Sequence, residues 1–210
     1  DSVDAGKYDI TELNIINKTL QDTLYIKSKF KGGSKKKDLF NFSLFHTINP
    51  EGKSVVGVKK SEITYKDKVW FINERNNNLN KITFDDNYNN ILIDSLVLNH
   101  KDEFIRFAGS IRDSTYKDLK LQFENVTFGN IVPDVDSLDL EGVVNGRLHF
   151  IQKKGAYYPN SEVTIDNVAI NGVAFGDLNL QIRGNEDLTR YDINTTLTNN
   201  NVKSINAVGA

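Results

Sequence analysis

Between residues 119 and 124 the chain alternates strictly: Leu119, Leu121 and Phe123 are apolar, while Lys120, Gln122 and Glu124 are charged or carry an amide. Successive side chains of an extended strand point to opposite faces, so a period of two sends the greasy residues one way and the polar ones the other. A helix, with its period of 3.6, would scatter them around its circumference. The rhythm recurs at Leu178, Leu180 and Ile182, separated by Asn179 and Gln181. Phe40, Phe42, Leu44 and Ile48 share one parity with His46, and Val163 with Ile165, Val168 with Ile170, and Val173 with Phe175 form short pairs. Pairs of that length predict strands of about 17 to 20 Å or less. No window of about 11 residues carries a capped apolar helical stripe, which leaves at most one helical turn near residues 34–38. The chain therefore reads as all-β, each strand having one apolar and one wet face.

Turn chemistry falls at Lys31-Gly32-Gly33-Ser34, Asn49-Pro50-Glu51-Gly52, Asp85-Asp86-Asn87, Asn145-Gly146, Pro159-Asn160-Ser161, Asn171-Gly172 and Asn199-Asn200-Asn201. Asn171-Gly172 is the strongest of these, because a type I′ turn needs positive φ at both central residues; it predicts a tight hairpin over 168–175. The runs Lys35-Lys36-Lys37 and Asn76-Asn77-Asn78 read as solvated loop tips. Laying residues 91–110 on 191–210 matches Ile93 to Ile193, Ile105 to Ile205 and Gly109 to Gly209, which suggests a stack of similar hairpin units. Residues 1–210 are expected to form one repetitive β segment, divisible into 1–110 and 111–210. The chain starts at Asp1, contains no Met and stops just after a glycine, so it reads as a fragment of a much larger chain cut at both ends.

Composition bears on how such strands can pack. A globule of this length would bury about 70% of its unfolded surface, yet hydrophobic residues make up only 39% of the chain and mean hydropathy is -0.43. That predicts a thin or open core. The 10% aromatic content nevertheless exceeds that of a disordered chain. Basic and acidic residues number 26 and 28, giving a net charge of -2, so no broad positive field exists to draw in nucleic acid. Without cysteine there are no disulfides, thiolate metal sites or Cys nucleophiles. No run approaches the roughly 18 apolar residues of a membrane helix and no signal-peptide pattern is read within residues 1–210, so any anchor or signal is expected to lie outside this fragment.

Chemistry-bearing motifs have plainer explanations. Gly142-Val143-Val144-Asn145-Gly146 lacks the Lys-Ser/Thr ending and the following helix of a phosphate loop, and reads as a turn between strands. His46, His100 and His149 lie far apart with no ligand partner nearby in sequence, and His46 sits in an apolar register as a packed strand residue. Asp134, Asp136, Asp139 and Glu141 could suggest calcium; Val135, Leu138 and Leu140 interleave with them, so a strand with an outward acidic face is simpler. Sequons at Asn17, Asn41, Asn125 and Asn194 follow from the abundance of Asn. Trp70, in the apolar run Val69-Trp70-Phe71-Ile72, reads as a core or groove anchor. No residue is assigned a catalytic, cofactor-binding or metal-binding role. Two other classes remain: a sandwich-type adhesin or carbohydrate-binding module using Tyr157, Tyr158 and Trp70, and a glycosidase with carboxylates about 5 to 9 Å apart, for which there is no positive sign.

Six elements in order carry a resemblance. They are Ile63-Thr64-Tyr65-Lys66-Asp67-Lys68-Val69-Trp70-Phe71-Ile72, then Phe104-Ile105-Arg106-Phe107-Ala108-Gly109, then Leu119-Lys120-Leu121-Gln122-Phe123. After these come Leu138-Asp139-Leu140-Glu141-Gly142-Val143-Val144-Asn145-Gly146, Tyr158-Pro159-Asn160-Ser161-Glu162-Val163-Thr164-Ile165 and Val173-Ala174-Phe175-Gly176-Asp177-Leu178-Asn179-Leu180. In this order the chain, from about Gly57 onward, resembles the AsmA-like envelope proteins and, within them, the TamB (translocation and assembly module) family.

That resemblance implies a long curved antiparallel or mixed β-sheet folded into an open, taco-like trough with an apolar interior. It places the chain in the periplasm of a Gram-negative bacterium, its parent anchored in the inner membrane by a segment absent here. It implies a role in outer-membrane biogenesis without enzymatic activity or cofactor. The expected partners are phospholipid acyl chains and an Omp85-type outer-membrane barrel (TamA-like) with its substrates. On strand parity, the lining of the trough would be Leu119, Leu121, Phe123, Leu148, Phe150, Val163, Ile165, Leu178, Leu180 and Ile182.

Overall fold

The computed structural model describes residues 2–5, 8–32, 37–132, 138–184, 191–199 and 202–209, with side chains described between residues 10 and 199 of that set. Lys35, Lys36, Gly33, Ser34, Asp134, Asp136, Asn200, Asn201 and Ala210 lie outside it. The fold is almost entirely β, and every described strand pair is antiparallel. Two compact units are present, Asp1–Lys101 and Asp102–Ala210.

The first unit holds β1 (Ser2–Ala5), β2 (Tyr8–Leu20), β3 (Thr23–Gly32), β4 (Asp38–Ile48), β5 (Ser54–Val58), β6 (Ser61–Tyr65), β7 (Lys68–Ile72), β8 (Lys81–Phe84) and β9 (Asn90–His100). Of the helical turn expected near 34–38, residues 34–36 lie outside the described residues, and Asp38 opens β4. From β1 to β4 each strand pairs antiparallel with the next in sequence. Between β4 and β9 the sheet is then built from two short strand pairs side by side. β5 and β8 continue from one half of β4, while β6 and β7 continue from the other. Both β7 and β8 end on β9.

The seam between those pairs would orphan several backbone groups, and buried polar side chains satisfy them. Ser43 N–H donates to Ser61 Oγ at 2.9 Å, and Val97 N–H donates to Asn80 Oδ1 at 2.6 Å. Asn73 Nδ2 donates to the Val58 carbonyl at 2.7 Å. Asn73 and Asn80 also take positive φ, 52° and 61°, which Asn tolerates better than most residues. Asn76, Asn77 and Asn78 between them are exposed.

The second unit holds β10 (Glu103–Arg112), β11 (Tyr116–Thr127), the four-residue helix α1 (Phe128–Ile131), β12 (Leu140–Lys153), β13 (Ala156–Ile170), β14 (Val173–Gly184), β15 (Tyr191–Asn199) and β16 (Val202–Gly209). Each strand pairs with the next in sequence. The expected hairpin at Asn171-Gly172 is present: φ is 50° and 74° at the two residues, and Ile170 faces Val173.

Three expectations about local structure fail. Asn145-Gly146 and Pro159-Asn160-Ser161 are not turns but lie inside β12 and β13, and the stretch from Gly142 to Gly146 is likewise strand. The turn between those strands uses Lys154-Gly155 instead, with φ 51° and 81°. Pro159 fits mid-sheet because Gly184 on β14 gives its ring room: a β-carbon there would stand 3.2 Å from Pro159 Cδ.

Strands are also longer than their apolar pairs suggest, β13 running for 15 residues. Val163, Ile165, Val168 and Ile170 belong to this one strand. The parity change between Ile165 and Val168 is a β-bulge, with Asn167 at φ 55°. A matching bulge separates Phe123 from Val126 in β11, with Asn125 at φ 54°.

Candidate functional site

Residues directly opposite one another in an antiparallel sheet share a face, so the register of the second unit places its side chains. Leu121 faces Leu148, Leu119 faces Phe150, and Phe123 faces Gly146. Gly146 in turn faces Val163, which faces Leu180; Ile165 faces Leu178, and Ile182 lies opposite Ser161. All ten residues singled out by parity therefore stand on one face of this unit's sheet. Leu148 and Phe150 are each 38% exposed and the other eight are half-buried.

The opposite face is wet. Arg106, Gln122, Arg147, Glu162, Gln181 and Asn194 form a continuous cross-strand row. Within it Gln181 Nε2 donates to Glu162 Oε1 at 3.3 Å. On the same face His149 Nε2 lies 2.9 Å from Asp118 Oδ1.

Parity reading missed part of the apolar face. Ile105 and Phe107 on β10 oppose Phe123 and Leu121, and Ile193 and Leu197 on β15 oppose Ile182 and Leu178. Val126 and Val144 oppose each other, and Val144 opposes Ile165; these two valines are 0% and 4% exposed. Val126 has the wrong parity to be read with Phe123, and only the bulge returns it to the apolar side. One signal was available, since Phe123-Glu124-Asn125-Val126 and Ile165-Asp166-Asn167-Val168 are the same acid-Asn-Val pattern. In both, the Asn N–H donates to an Asx side chain on the next strand: Asn125 to Asn145 Oδ1 at 2.8 Å, and Asn167 to Asp177 Oδ1 at 2.9 Å.

Glycines punctuate the same face on every second strand. Gly109 on β10, Gly146 on β12 and Gly176 on β14 have φ of 153°, 120° and 99°. A β-carbon on any of them would collide with a carbonyl oxygen of the neighbouring strand, that of Asp118, Glu162 or Thr198 respectively. Glycine at such points lets a sheet bend.

The first unit repeats the two-faced arrangement. Phe30 faces Phe40, Phe40 faces Ile63, and Ile63 faces Trp70. The rings of Phe30 and Phe40 stack at 4.7 Å. Trp70 is 2% exposed with its ring 5.5 Å from His100, so it is a core anchor and is not available as a surface sugar platform. His46 is half-buried in β4, its Nε2 3.3 Å from Ser54 Oγ. Tyr157 is exposed on the apolar face of the second unit, and Tyr158 lies on the wet face with Lys153 Nζ 5.8 Å from its ring centre.

Among the described residues no three His, Cys, Asp or Glu side chains converge as a metal site would require. Glu103 is a buried carboxylate, and its oxygens accept from Thr127 N–H at 2.9 Å and Asn130 Nδ2 at 2.9 Å. It thus ties the segment around α1 to the base of β10. No described helix is long and apolar enough to cross a membrane. No family profile, curated protein or solved structure matches the chain.

Proposed function

We propose that the chain is a non-enzymatic periplasmic segment of the AsmA-like or TamB type, working in outer-membrane biogenesis by sheltering phospholipid acyl chains against its apolar face. One observation carries this reading. The second unit lays a continuous apolar face across β10 to β15, and among its described residues the four-residue α1 is the one helix or strand beyond the sheet. A sheet with one apolar face needs a second layer, and contiguous apolar surface left exposed marks a binding site. An acyl chain supplies that layer at about 0.8 kcal/mol per buried CH₂.

The bulges and the glycine positions support a sheet curved around such a cargo. The same face would also take the alternating apolar side chains of an unfolded barrel strand delivered to or from an Omp85-type partner. Lipid is the primary reading, because the face is built of side chains rather than of a free strand edge.

The test is photocrosslinking of the purified chain to a lipid with a photoreactive acyl tail. The pair Leu121→Asp and Leu180→Asp places charges at two separate points of the face and should abolish labelling while leaving the β circular-dichroism spectrum intact. Undiminished labelling of a folded double variant refutes the reading.

A further inference from the structure

We propose that the apolar face of the second unit has a head end and a tail end, with Lys117 and Gln152 forming a station for an anionic head group that also carries a hydrogen-bond donor. The inference rests on the acyl-chain reading above and deepens it by fixing the orientation of the ligand. Lys117 stands on the apolar face, in register between Ile111 on β10 and Gln152 on β12 and two residues from Leu119. It is half-buried, and its side chain makes no hydrogen bond, ion pair or ring contact among the described residues. A cation drawn onto a greasy surface without a counter-charge is costly, and an anion beside it removes the cost.

Gln152 makes the complementary demand. It is 5% exposed, and its Oε1 is buried without any donor, the one such side-chain atom among the described residues. Its Nε2 reaches the Ser114 carbonyl at 3.5 Å. A buried acceptor left unfilled is destabilising, and a hydroxyl or ammonium on the head group would fill it.

The neighbours fit a border between greasy and wet. Tyr157 faces Gln152 across the strands, its ring 5.3 Å from Phe150, and the hydroxyl of Tyr191 donates to the Tyr157 carbonyl at 3.3 Å. Tyrosine favours such borders because its ring is apolar and its tip polar. At the other end of the face lie Val126 and Val144, buried and without polar atoms in their side chains. From Gln152 to Val144 along β12 is about 26 Å at roughly 3.3 Å per residue. That exceeds the roughly 15 Å of half a bilayer's hydrocarbon core, so a whole tail fits between the two ends.

Titrating the full chain with cis-parinaric acid and with its methyl ester tests this by fluorescence, since the two probes share a tail and differ in head charge. At a pH where the acid is ionised, it should bind about tenfold or more tighter than the ester, the worth of one charge-assisted contact. Lys117→Gln should erase that preference while leaving ester binding unchanged, and Lys117→Arg should retain it. Gln152→Leu should leave the acid-over-ester ratio intact and remove any gain that a monoacylglycerol, with its hydroxyls, shows over the ester. Equal binding of acid and ester by the native chain, or a preference that survives Lys117→Gln, overturns the head-group station and leaves the acyl-chain reading standing. Failure of both probes to bind overturns the acyl-chain reading itself, and the station falls with it.

Discussion

Replacing Gly146 with alanine adds one methyl group at a point where the sheet has no room for it. Gly146 lies within β12, flanked by Phe123 on β11 and Val163 on β13, at φ 120°. A β-carbon there would press into the carbonyl oxygen of Glu162 and stand 2.9 Å from Val163 Cα. Both obstacles are backbone, so no rotamer change relieves them. Forcing an L side chain into this conformation costs about 1 to 3 kcal/mol, and overpacking adds about 1 to 3 kcal/mol more. Gly155, in the turn after β12, is the control: its φ is 81°, but nothing lies within 4 Å of its missing β-carbon. Gly155→Ala therefore carries only left-handed strain, about 1 to 2 kcal/mol. With a urea slope of about 2 kcal/mol/M, Gly146→Ala should lower the unfolding midpoint by roughly 1 to 3 M and Gly155→Ala by less than roughly 1 M. Gly109→Ala and Gly176→Ala should behave like Gly146→Ala. Equal shifts at Gly146 and Gly155 would show that the close approach of β13 is not what excludes a side chain.

The seam of the first unit predicts that Asn80→Ala, which strands the Val97 N–H now bonded at 2.6 Å, costs about 1 to 3 kcal/mol; a loss within experimental error in urea unfolding would rule out that accounting. Asn167→Gly should be nearly neutral and Asn167→Val should cost about 1 to 2 kcal/mol, because only the second is strained at φ 55°; equal stabilities would sink the bulge argument. The side-chain and backbone hydrogen bonds from Thr115 hold the Asp113 carboxyl below its ordinary value of 3.8. A carboxyl depressed by folding adds stability that is present above the unfolded value and lost as pH falls through the folded one. Thr115→Ala should accordingly raise the Asp113 value toward 3.8, read from the carboxyl carbon by NMR; an unmoved titration contradicts the hydrogen-bond cause.

Strand faces were legible in the sequence because burial on one side writes itself as parity, and Leu119 to Phe123 or Leu178 to Ile182 could be placed on no other element. Strand ends were not. Asn145-Gly146 and Asn171-Gly172 are the same dipeptide, yet one lies inside β12 and the other turns the chain between β13 and β14. The dipeptide signals only that positive φ is affordable, and a close strand approach uses that freedom as readily as a turn. What distinguishes the two is a neighbour distant in sequence, here the Glu162 carbonyl beside Gly146. Asn80 was hidden for a related reason: an Asn-rich stretch reads as loop, and nothing local says that its last member serves the Val97 amide. Lys117 was hidden because one cation in an alternating strand is unremarkable until the register shows which face it occupies.

Asn145 and Asp177 connect these misreadings to a single device. Each accepts the backbone N–H of a left-handed Asn in a bulge one strand earlier, and each is adjacent in sequence to a glycine of positive φ, Gly146 or Gly176. β11 with β12 and β13 with β14 are thus two copies of one hairpin step, and the spacing of Gly109, Gly146 and Gly176 on alternate strands keeps the same beat. A slip of one residue anywhere would turn the apolar residues of a strand outward. It would also break the Asx acceptor from its bulge and push a side chain into the slot that only glycine fits. Strands of 12 to 15 residues can pair in several registers, and such local locks select one. Locking the register is also what a binding face requires, because Leu121, Leu148 and Ile182 can present one continuous surface to a ligand only if all their strands hold their alignment at once.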